Sequence, residues 1–169
     1  MATPWERAFN RALVSGSAAS VLSTAALAAR GRSESGSAPA PINAVSHWYW
    51  SDRATRVDQA RIKYTVPGYL THHAMSIFWA VVFEKVFGGR SRGKPVSAAA
   101  ASAATAAMAC FVDYQMTPKR FTPGFEHRLS KMSLLLVYAA FAAGLALTDL
   151  ARSTAIARRI DKFSPDRAA

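Results

Sequence analysis

Four blocks of the chain contain no Asp, Glu, Lys or Arg: Ala12 to Ala29, Gly68 to Phe83, Pro95 to Val112 and Met132 to Thr148. At 16 to 18 residues each, they approach the length a helix needs to cross the roughly 30 Å hydrocarbon core of a bilayer. Most of the second block and nearly all of the fourth are apolar around the whole helical circumference, as a surface helix of a water-exposed protein is not. The first and third are rich in alanine and serine, so they are the weaker spans by hydrophobicity and depend on neighbouring helices. Small residues four apart suit such neighbours: Gly16, Ser20 and Thr24; Ala99, Ala103 and Ala107; Ala140 and Gly144. The pattern predicts an all-α integral membrane four-helix bundle with spans over about 9–29, 68–87, 95–113 and 129–150. A soluble alanine-rich bundle is the alternative.

Between the first two blocks lies a polar loop, 31–66. It opens as a Ser/Gly/Pro mixture that reads as a flexible linker. Trp48, Tyr49 and Trp50 follow, ring types favoured at a membrane–water interface. Asp52 is a candidate N-cap for a short amphipathic interfacial helix over 54–63, and Pro67-Gly68 is expected to start the second span. Thr122 as N-cap and Pro123 at the first helical position are expected to start the fourth helix ahead of its membrane portion. The tail past Leu150 is a basic amphipathic end in which Arg158, Arg159 and Lys162 face anionic lipid headgroups. The first block has a second reading as a signal peptide, since Arg7 and Arg11 precede it and Ala26-Leu27-Ala28 fits a cleavage pattern; removal would leave three spans.

Charge sharpens this picture. Lys and Arg number 21 against 10 Asp and Glu, with a mean hydropathy of +0.06. The cations bracket the apolar blocks, which is the pattern of membrane anchors and argues against nucleic acid as a partner. Four spans place 11 of them on the side of the termini and 10 on the other, and the longer first loop dilutes the latter. The termini are therefore assigned to the cytoplasm. Arginine- and alanine-rich composition suggests a bacterial chain, and hence a multi-pass protein of the bacterial inner membrane. The single cysteine, Cys110, precludes an internal disulfide and reads as a packing residue.

The candidate chemistry lies on the side opposite the termini, where the four histidines fall. There the topology gathers His72, His73, Asp113, Glu126 and His127 as a proton or ligand cluster able to hold a metal or haem. Solvated helix ends are the plainer account of the same residues. Glu84 is a buried-acid candidate eleven residues from His73, about three helical turns and so on the same side of the helix; alternatively it marks the interface end of the second span. No HExxH or di-iron pattern, phosphate loop or nucleophile elbow occurs. The expected function is that of a non-enzymatic inner-membrane protein, an accessory, assembly or stress-related factor that self-associates or joins a membrane complex. A metal- or haem-binding protein and a proton or small-solute conduit are the alternatives.

His72, Ser76, Phe78 and Glu84, the short basic turn after them, Thr117-Pro118 and the basic tail together resemble the small bacterial inner-membrane proteins of the YagU type. The likeness runs from about His72 to Arg152, half the chain. It implies a multi-span membrane protein with a link to acid resistance.

Overall fold

The computed structural model describes residues 3–88 and 94–163, with side chains as far as 155. All regular structure among them is helical. Four long helices, α1 (Pro4–Ser35), α4 (Ile62–Val86), α5 (Pro95–Phe111) and α6 (Lys131–Phe163), are joined by short ones, α2 (Ala40–Val45) and α3 (His47–Trp50) among them. Helix α1 packs against both α4 and α6, α5 packs against α6, and α4 and α5 touch only lightly.

Local chemistry explains the helix ends. Thr3 and Glu6 form a reciprocal capping box ahead of Pro4, and Gly36, at φ 68°, ends α1 in the left-handed conformation. The serines that weaken the first block on paper bond back to their own helix: Ser23 Oγ donates to Ala19 O at 2.7 Å and Ser17 Oγ to Leu13 O at 2.5 Å. At the far end of α1, Glu34 caps α6. Its carboxylate accepts from Ser130 N at 2.7 Å and from Ser133 Oγ at 2.5 Å, while Arg30 bridges Glu34 and Ser133. A carboxylate at a helix N-terminus both satisfies free N–H groups and meets the positive end of the helix dipole.

Among the described residues three helices are long and apolar enough to cross a membrane: Pro4–Ser35, Pro95–Met116 and Lys131–Ala155. The order of strength expected from the sequence is corrected here, because α1 and α5 qualify and α4 does not. Tyr69, His72, His73 and Trp79 lower the mean hydropathy of α4, whereas alanine counts as apolar in α1 and α5.

Several boundaries also move. The amphipathic helix over 54–63 does not form; a 3-10 turn over Ser51–Arg56 is followed by extended chain, and α4 starts at Ile62. Pro67 therefore lies inside α4 rather than at its start. Proline there leaves the carbonyl of Lys63 without its helical partner, and the Trp50 indole N–H donates to that oxygen at 3.0 Å. Thr122-Pro123 does not begin the last helix, since a 3-10 turn over Phe125–His127 intervenes and α6 starts at Lys131.

The Ser/Gly/Pro stretch is packed, not a loose linker. Gly31 and Ser37 are buried, and a Cβ on Gly31 would meet Pro41 Cδ at 2.6 Å. Asn43, fully buried, holds the rest of the first loop by donating to Val57 O and Gln59 O at 2.8 and 3.0 Å and accepting from Thr65 Oγ1 at 2.6 Å. Gly68 on α4 admits α2, because a Cβ there would lie 2.0 Å from Ile42 O.

Candidate functional site

The light contact between α4 and α5 leaves a partly open cavity of about 170 Å³, bordered also by Ser23 of α1, by α6 and by the two loops. Rings dominate its wall: Trp48, Phe78, Trp79, Phe121, Phe125 and Phe141. The polar side chains among its lining include His72 and Asp113, the residues that sequence placed in a ligand cluster.

Each is engaged by a neighbour the sequence did not suggest. His72 Nε2 lies 2.9 Å from Ser23 Oγ. The Ser23 hydroxyl has one proton, and Ala19 O can only accept it, so both bonds form when His72 is the Nε2–H donor. Asp113 sits in the π turn Val112–Met116 that extends α5, a geometry fixed by Thr117 N donating to Val112 O at 2.9 Å. It accepts from the Tyr138 hydroxyl of α6 at 2.6 Å.

The five-residue cluster is thus brought to one end of the protein without closing into one group. No hydrogen bond joins His72 or His73 to Asp113, Glu126 or His127 among the described residues. His73 stacks on Tyr69, with ring centroids 5.7 Å apart, and its Nδ1 is buried without a partner. His127 faces His47 edge-on at 6.3 Å, and His47 Nδ1–H donates to Ala44 O at 2.9 Å. Glu126 Oε2 and the Tyr114 hydroxyl are buried without a hydrogen-bond partner among the described residues, and both residues line the groove between α5 and α6. Among the described residues no three His, Cys, Asp or Glu side chains gather as a metal ion would require.

At the opposite end Glu84 is buried, its side chain 1% exposed. Arg152 of α6 donates to Glu84 Oε1 at 2.5 Å and to the carbonyl of Arg11 at 2.7 Å, and Ser15 Oγ donates to Glu84 Oε1 at 2.9 Å. The acid that spacing places above His73 is therefore held by α1 and α6.

The aromatic residues of the first loop each anchor a polar tip. Trp48 Nε1–H donates to Thr122 O at 2.9 Å, and the Tyr49 hydroxyl lies 3.0 Å from Thr71 Oγ1. With Trp50 on Lys63 O, the three tie the first loop to α4 and to the loop before α6, while Tyr49 and Trp50 keep an exposed face. Arg158, Arg159 and Lys162 fall in the helical end of α6, and their side chains lie outside the described residues.

Compared with known proteins, the chain matches no family model, no curated protein and no solved structure. The likeness to YagU-type proteins stays with the sequence features that carry it.

Proposed function

We propose that the chain is a non-enzymatic integral protein of a bacterial inner membrane, a four-helix bundle in which α4 crosses together with α1, α5 and α6. Both termini lie on the cytoplasmic side, the basic end of α6 meets anionic headgroups, and the protein acts as an accessory, assembly or stress-related factor within a homo-oligomer or a larger membrane complex.

The observation that carries the membrane reading is an inverted distribution of side chains. Inside, α1 turns Ser15, Gly16, Ala19, Ser20 and Ser23 toward its neighbours. Outside, each long helix exposes large apolar groups, including Val14 and Val21 on α1, Phe78 on α4, Phe111 on α5 and Leu136 and Leu147 on α6. Water selects the reverse arrangement, whereas lipid tails accept an apolar exterior and leave close packing of small residues to hold the helices together. Phe78 extends the same exterior to α4, the helix whose composition alone falls short.

Alkaline carbonate washing of membranes tests this reading. The protein is expected to stay in the pellet and to leave it with detergent; recovery in the aqueous wash overturns the proposal.

A further inference from the structure

One carboxylate on the wall of the partly open cavity between α4 and α5 lacks a counter-charge. Asp113 is the single Asp, Glu, Lys or Arg among the described residues that line it. It is partly buried, it enters none of the described ion pairs, and its Oδ2 accepts from Tyr138. Its Oδ1 has no hydrogen-bond partner among the described residues. That oxygen is not one of the polar atoms sealed from water, which sets it apart from Trp79 Nε1 and Glu126 Oε2. Glu126 lies within electrostatic reach and adds like charge. A carboxylate partly withdrawn from water is best served by a positive partner.

The rest of the wall restricts what that partner is. It is mostly aromatic, with Trp48, Phe78, Phe125, Tyr138 and Phe141 among its residues. Aromatic rings attract cations, and groups of them recognise alkylammonium ligands. A small inorganic ion finds no set of ligands, since no three His, Cys, Asp or Glu side chains gather among the described residues, and it would shed its water against apolar groups. An anion meets Asp113 and no lysine or arginine. A neutral apolar molecule covers Oδ1 without replacing its water. His72, on the same wall, is bonded to Ser23 and not to Asp113.

We propose that this cavity binds an organic monocation with an apolar body, an alkyl- or arylammonium, its charge beside Asp113 and its body among the rings. Because the cavity is partly open, part of that body can remain outside it. The inference goes beyond the membrane reading, which bears only on whether the ligand arrives from lipid or from water.

Benzyltrimethylammonium is the probe, radiolabelled and read by scintillation proximity on protein purified in a nonionic detergent. Saturable binding of one molecule per chain is expected. Neopentylbenzene has the same shape with carbon in place of nitrogen and no charge, and phenylmethanesulfonate carries a negative charge at that place. At equal free concentration each should compete about tenfold more weakly than the unlabelled cation, or worse. Asp113→Asn keeps an acceptor for Tyr138 and removes the charge, so it should weaken the cation about tenfold and bring it level with neopentylbenzene. The comparison of the three compounds on the unmodified chain decides the matter even where Asp113→Asn does not fold.

Binding that does not saturate, neopentylbenzene competing as well as the cation, or unchanged cation binding in folded Asp113→Asn would each overturn the proposal. A protein that purifies without detergent refutes the membrane reading, and the same competition in buffer still judges the site.

Discussion

Arg152 of α6 and Glu84 of α4 form an ion pair at 2.5 Å although 68 residues separate them in the chain. The carboxylate is buried, and the guanidinium, a quarter exposed, reaches past it to the carbonyl of Arg11 on α1. One arginine thereby joins three of the four long helices at one end. A buried carboxylate is costly alone and tolerable when paired and hydrogen-bonded, so the pair fixes which ends of α1, α4 and α6 meet.

Among the described residues, Arg152→Ala leaves the Glu84 carboxylate with Ser15 as its hydrogen-bond partner. The loss of stability is expected to be about 2–4 kcal/mol, somewhat below that for a fully buried pair because Arg152 is partly exposed. Glu84→Gln combined with Arg152→Met should recover most of that loss, since no unpaired charge then remains. Reversible unfolding in mixed detergent reads both; equal losses in the single and double variants would contradict the account.

Asn43 is predicted to control the first loop. Asn43→Ala removes the donors to Val57 O and Gln59 O and the acceptor for Thr65, and should cost about 2–3 kcal/mol. Proteolysis across 51–61 should accelerate with it. Unchanged cleavage would mean that the loop is held elsewhere.

Gly144 tests the close approach of α6 to α1. A Cβ there would lie 2.4 Å from Ala19 Cα, which is backbone and cannot swing aside. Gly144→Ala should therefore destabilise by about 1–3 kcal/mol, although alanine is the better helix former. Ala139→Leu, on the exposed side of the same helix, should be close to neutral.

The four-span topology predicts opposite signals from reporters placed at Arg53, which is exposed in the first loop, and after Ala169. Matching signals would leave an odd number of crossings between the two sites untenable, and with it the four-span path. Ser37, which composition marks as linker, is an unsuitable insertion point, because its hydroxyl is bonded to the Asp58 carbonyl and the residue is buried.

What the sequence discloses follows from the range over which each signal acts. Charge-free blocks of sixteen or more residues locate the four long helices, because few other structures tolerate such runs. Boundaries go wrong where a local signal has a tertiary competitor. Thr122-Pro123 has the chemistry of a helix start, yet the Thr122 carbonyl is taken by Trp48 and the cap of α6 comes from Glu34. Pro67 reads as a first-turn proline, yet α4 begins five residues earlier, with Trp50 meeting the freed carbonyl. Helical spacing puts Glu84 and His73 on one side of α4, but it says nothing of what faces them. Ser15 and Ser23, two turns apart on α1, reach Glu84 and His72 respectively. Tyr138 and Arg152 carry no motif, and only the packing of the long helices gives them partners in Asp113 and Glu84.

The central claim is that the apolar exterior, α4 included, faces lipid. Spin labels at Val21, Phe78, Leu136 and Leu147 in proteoliposomes measure this directly through collision with oxygen, which concentrates in the hydrocarbon, and with a water-soluble nickel chelate. The account predicts high oxygen and low nickel accessibility at all four positions, Phe78 included. High nickel accessibility at these positions would place the exterior in water and contradict it.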